Sequence, residues 1–61
     1  MIHRFVDGPL EGTEHKNQTH APPTMWVTYD RHNMAEYKRG ENLPDMSWEY
    51  HFTGRTDAAS H

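Results

Sequence analysis

Six histidines in 61 residues are the first chemical oddity of this chain: His3, His15, His20, His32, His51 and His61. A zinc site needs three or four ligands converging at about 2 Å, and metal signatures place at least two of them within four residues. No two histidines here are that close in sequence. The nearest approach to a site is His3 with His15, which could meet across a hairpin with Asp7 or Glu14 beside them. Solvent-facing histidines are the simpler reading, and no metal or other cofactor is expected. Their charge has a second consequence. The chain carries −3 with all six neutral, and protonating all six brings it to +3, a reversal falling between about pH 7 and pH 5. Such a reversal predicts pH-dependent association.

Asp30-Arg31-His32-Asn33 sets a carboxylate, a cation, an imidazole and an amide in one stretch, the ingredients of acid–base or metal-assisted hydrolysis. No nucleophile accompanies them: Ser47 and Ser60 lie elsewhere and neither sits in an elbow motif. Turn residues are polar for local hydrogen-bonding reasons, which explains the cluster without chemistry. Phosphate-loop and dinucleotide glycine patterns are missing, and the absence of cysteine excludes disulfides, CxxC redox chemistry and thiolate zinc sites. Neither an enzyme nor a catalytic residue is expected. Trp26 and Trp48 carry more weight. With Arg31, Arg39 and Arg55 they are the residue types that dominate protein contact surfaces. One tryptophan can fill the core of so short a chain while the other stays exposed; burial of both is the competing arrangement.

The elements that must position these residues are strands. Ile2 to Val6 reads as a short strand, Asp7 to Gly12 as a six-residue turn with two glycines and a proline, and Thr13 to His15 as the return. Lys16 to Thr24 is polar and ends in Ala21-Pro22-Pro23, an extended arm. Met25 to Tyr29 is a strand with Met25, Val27 and Tyr29 on one face and Trp26 and Thr28 on the other. Residues 34–39 fit either a one-turn helix, capped by Asn33 with Glu36 and stopped by Gly40, or a strand over Ala35 to Arg39. The flanking strands and the poor nucleation of short helices favour the strand. Ser47 to Thr53 alternates, with Trp48, Tyr50 and Phe52 facing one way. The expected fold is all-β: a small twisted antiparallel sheet or partly open barrel of four or five short strands. It occupies residues 1–54, with residues 55–61 a flexible polar tail. The expected core is Phe5 or Val6, Val27, Tyr29, Tyr37, Trp48, Tyr50 and Phe52.

Only seven of the residues are Leu, Ile, Val or Phe, and no disulfide can compensate. A chain this small with so thin a core is expected to lean on a protein partner or on copies of itself. Six Lys and Arg against nine Asp and Glu, with Lys38-Arg39 the one adjacent basic pair, give no basic stripe, so nucleic acid is not an expected partner. Nor does any run approach a membrane span or the apolar stretch of a signal peptide.

Arg4-Phe5-Val6-Asp7-Gly8-Pro9-Leu10-Glu11-Gly12 resembles the opening of small actinobacteriophage proteins, in which an aromatic strand runs into Gly-Gly-Pro-Leu-Asp-Gly. Trp48-Glu49-Tyr50-His51-Phe52-Thr53-Gly54 is similar to their second element, a tyrosine-rich strand ending near glycine. Asp7 and Glu11 depart from that pattern, standing where glycine and aspartate are usual. Asp tolerates positive backbone angles, so the turn is expected to survive the first change. The resemblance covers about sixteen residues and implies no catalytic or ligand-binding residue. It implies a phage gene product of the virion or the host cytoplasm. The expected role is a non-enzymatic virion-associated protein, a capsid decoration or minor structural component held by multi-copy protein–protein contacts. The alternative is an early host-directed factor that inhibits a host protein or sequesters a defence signalling nucleotide.

Overall fold

A computed structural model of the chain describes residues 1–58, of which 57% lie in strands. The strands are β1 (Ile2–Phe5), β2 (Glu14–His15), β3 (Thr24–Thr28), β4 (Asn33–Asn42) and β5 (Ser47–Ala58). They form one sheet in the order β2-β1-β5-β4-β3, curled into a half-barrel. A single 3-10 turn, Gly8–Leu10, interrupts the loop between β1 and β2. The all-β expectation stands, and β4 runs as unbroken strand through 34–39 where a one-turn helix was the alternative. Partners on both sides decide it, because β3 and β5 together satisfy both edges of β4.

Three expectations are corrected. The sheet is mixed, because β1 lies parallel to β5 with Ile2 beside Ser47 and Phe5 beside Tyr50. Alternation sets that register: His3 and Phe5 point inward with Tyr50, and a one-residue slip would carry Arg4 into the core. The strands β4 and β5 are long, at 10 and 12 residues, and their hairpin matches the 35 Å length of the molecule. Residues 55–58, expected in the tail, belong to β5, where Thr56, Asp57 and Ala58 pair with Ala35, Met34 and Asn33. The tail expectation for 59–61 lies outside the described residues.

The core is aromatic. Phe5, Ala35, Tyr37 and Tyr50 are fully buried, and Leu10, Met25, Val27, Tyr29, Trp48 and Phe52 pack against them. Phe5 meets Tyr37 edge-on with ring centres 4.7 Å apart, a geometry favoured by the ring quadrupoles. Val6, the other candidate for that inward place, is exposed. Tyr37 reaches across the sheet to the β1–β2 loop, where its hydroxyl donates to the Asp7 carbonyl (2.7 Å) and accepts from the Leu10 amide (2.9 Å). The Asp7 carboxylate accepts from the Phe52 amide at 2.6 Å. Asp7 is extended (φ −153°), so the tolerance of positive angles expected of it is not used. Gly8 is the residue at φ +71°, and a Cβ there would lie 2.5 Å from two atoms of the Phe52 side chain.

The β4–β5 turn closes through Leu43 N to Ser47 O (2.7 Å) and Met46 N to Leu43 O (3.0 Å). It places Met46 at φ +68°, the left-handed position that glycine usually fills in such hairpins, with its side chain exposed.

These backbone positions yield two expectations measurable by chemical denaturation. Gly12, at φ +83° with open space beside it, should lose about 1–2 kcal/mol on substitution by alanine. Gly8→Ala should cost about 1–3 kcal/mol more, because Phe52 must also move. Equal losses at the two glycines would refute the close packing. Met46→Gly should stabilise by about 0.5–1 kcal/mol, as the left-handed strain removed exceeds the added chain entropy.

Candidate functional site

The arm predicted at 16–24 is extended, but it is fastened to the body as a strap. Residues His20 to Pro23 present four successive carbonyls, and each accepts a hydrogen bond from the sheet. His3 Nε2 reaches His20 O at 2.8 Å, the Arg39 guanidinium donates to Ala21 O, Tyr50 Oη donates to Pro22 O at 2.8 Å, and Arg39 N donates to Pro23 O at 2.9 Å. Two prolines suit a segment that is asked only to accept. At its upstream end the strap holds the chain start, with Met1 N donating to Gln18 O and Gln18 N to Met1 O, both at 2.9 Å.

His3 is 2% exposed, and its ring packs 4.8 Å from that of Tyr50. A carbonyl can only accept, so Nε2 carries the proton of the neutral ring. Burial holds the imidazole below its ordinary pKa, opposed by the hydrogen bond to His20 and reinforced by the charges of His15 and the N-terminus. The histidine-driven reversal of net charge therefore includes one group that resists protonation in the folded chain. His15 stands opposite His3 in register, but its ring packs on Phe5 at 4.9 Å. Among the described residues no three His, Asp or Glu side chains converge as a metal site would require.

The five candidate contact residues separate into different roles. Arg39 lies 4.8 Å over the Trp48 ring, yet Trp48 packs on the core and Arg39 holds the strap. That pair builds the fold. Trp26 is on the opposite, convex face of β3, 39% exposed, with the Arg55 guanidinium 5.9 Å from its ring centre. Glu36, paired with Trp26 in register, accepts from Thr53 Oγ1 at 2.8 Å and approaches Arg55 at 3.8 Å. Trp26, Glu36, Thr53 and Arg55 thus form one patch spanning β3, β4 and β5. Arg31 is exposed in the β3–β4 turn, apart from both tryptophans in sequence position and without a ring contact to either.

In that turn the Asp30 carboxylate accepts from the His32 amide (2.8 Å) and the Asn33 side chain (3.0 Å). Those bonds lower its pKa, so the carboxylate is a weak base, already engaged in holding the turn. Arg4 was not singled out by the sequence, yet it joins three segments on the convex side. Its guanidinium meets Glu14 of β2, Asp45 of the β4–β5 turn at 3.0 Å, and the buried Ser47 hydroxyl at 3.2 Å. The Asp45 carboxyl is held below its usual range by Ser47 first and by Arg4 next. A groove of about 460 Å³ lies along the strap, lined by His3, Gln18, Thr19, His20, Pro22 and Met25. No protein-family model matches the chain, and no curated protein or solved structure is significantly similar to it.

The His3 burial fixes a sign for pH dependence. Its folded pKa lies below the unfolded value near 6.5, so its contribution is intact above pH 6.5 and is lost as pH falls through the lowered folded value. Thermal melts should show stability declining from pH 7 to pH 5, and His3→Gln, which keeps a donor for His20 O but does not titrate, should flatten that decline. An equally steep decline in the variant would assign it to other groups.

Proposed function

We propose that this chain is a non-enzymatic bacteriophage protein, a small virion-associated component that docks in multiple copies on a capsid or tail through protein–protein contacts. The observation that carries the reading is the division of its aromatic and arginine residues. Trp48 and Arg39 are spent on the fold, while Trp26 and Arg55 form a patch open to solvent. Solvent-facing tryptophan beside arginine is the composition of interface hot spots. The thin aromatic core supports the same reading, since added contact surface offsets what a small core lacks. The titratable residues offer a reacting substrate little: the Asp30 carboxylate closes a turn, His3 is buried under the strap, and Arg4 links three segments. The phage setting rests on the opening segment, Arg4 to Gly12, and on the strand from Trp48 to Gly54.

Quantitative mass spectrometry of purified particles tests it. A virion component is present at a fixed copy number per particle. Absence from particles, with the protein abundant early in infected cells, would replace this reading with that of a host-directed inhibitor acting in the cytoplasm.

A further inference from the structure

The two edges of the sheet are β2, only two residues long, and β3. Hydrogen bonds at both ends of β3 set its phase: Tyr29 N donates to Asn33 O and Arg39 N donates to Pro23 O. In an antiparallel pair the bonded residues alternate, so Pro23, Met25, Val27 and Tyr29 face β4. Thr24, Trp26 and Thr28 consequently turn their amides and carbonyls outward, away from the sheet. The strand Thr-Met-Trp-Val-Thr carries no charge and no proline, so it lacks the usual devices that keep an edge from pairing.

We propose that β3 pairs antiparallel with β3 of a second copy of this chain, about a two-fold axis at Trp26. The inference deepens the multi-copy reading above and rests on it. Around Trp26 the strand is a near palindrome, and this is what selects a copy of itself as the occupant. In that register Thr24 meets the partner's Thr28, Met25 meets the partner's Val27, and Trp26 meets its own counterpart. Each pairing joins like with like, and hydroxyl and aromatic cross-strand pairs are favourable. The outward-facing residues 24, 26 and 28 are also those brought opposite one another, giving about six main-chain hydrogen bonds.

Other registers do worse. Sliding by one pair in one direction brings in Pro22, which has no amide to donate, and in the other direction Asp30, whose carboxylate closes the turn. Met25 and Val27, half-buried in each copy, would meet on the concave side and join the two cores. Trp26, stacked beside Arg55, would meet its counterpart on the convex side.

A five-residue edge is a small interface, so the dimer is weak in isolation, with a dissociation constant on the order of 10–100 µM. Copies held on one scaffold face each other at effective concentrations near millimolar, enough to close the contact.

Sedimentation equilibrium and amide exchange on the full chain test the proposal together. The chain should pass from monomer to dimer across that concentration range. The Trp26 and Thr28 amides should slow about tenfold or more as the dimer fills, while Met25 and Val27, bonded to β4 already, should not change. Thr28→Pro deletes an outward amide that β4 does not use, at an edge position where a strand accommodates proline, and should weaken association about tenfold or more with little change in melting temperature. Trp26→Lys, which sets two cations face to face, should do the same. The proposal is overturned by a chain that stays monomeric at about 500 µM, by a dimer that leaves those amides unprotected, or by Thr28→Pro associating as the parent does. A monomeric chain found in particles would sink the β3 pairing alone; a β3 dimer missing from particles would sink the virion reading alone.

Discussion

The structure depends on two buried phenol groups. A chain with few aliphatic side chains must build its core from tyrosine, and each buried hydroxyl then needs a partner or costs about 1–3 kcal/mol. Tyr37 and Tyr50 meet that demand by drawing irregular backbone onto the sheet. The first hydroxyl fixes the β1–β2 loop through Asp7 and Leu10, and the second fixes the strap through Pro22. Burial raises both phenol pKa values, so the hydroxyls stay protonated donors at any physiological pH. Loops that would otherwise be loose are therefore held by the same residues that fill the core.

This explains what could be read in the sequence and what could not. The alternation of Trp48, Tyr50 and Phe52 is a local signal, and so is the split of Met25 and Val27 from Trp26; both faces lie where the pattern puts them. The turn at Gly8 is equally local. Long-range partners carry no such mark. Nothing in Ile2 to Phe5 announces a parallel neighbour 45 residues away, because alternation suits either direction of pairing. The strap reads as an extended arm because most of its side chains are polar; it is bound through carbonyls, which have no sequence signature. Arg4 was overlooked for a related reason, since Glu14, Asp45 and Ser47 come together only after the sheet forms. β5 continues past Gly54 because Thr56 and Asp57, though polar, are still paired through their backbones with β4, beyond an irregularity in register.

The candidate site was legible in composition but not in allocation. Two tryptophans and three arginines suggest a contact surface; the sheet divides the tryptophans and two of the arginines by face, and Arg31 stands in a turn. Arg39 is drawn to the concave side, where its backbone and side chain both hold the strap and its guanidinium covers Trp48. Arg55 follows Gly54 (φ +94°), an irregular point in the strand, on the convex side with Trp26. Side-chain type alone cannot separate the two pairs. Register can, because inward and outward positions alternate along each strand.

The two edges of the sheet are also treated in opposite ways. At the β2 edge the strand is two residues long, and Glu14 is tied back to Arg4, so little backbone is offered and a charge pair stands beside it. Such an edge resists pairing. At the β3 edge the five uncharged residues Thr24–Thr28 follow Pro23, and no charge intervenes before the Asp30 turn. A sheet that had only to remain solitary would gain by placing a lysine at Thr24 or Thr28, whose side chains are solvent-exposed and not needed by the core. The fold protects the edge where pairing would disturb the Arg4 junction, and leaves bare the edge that lies beside its exposed tryptophan.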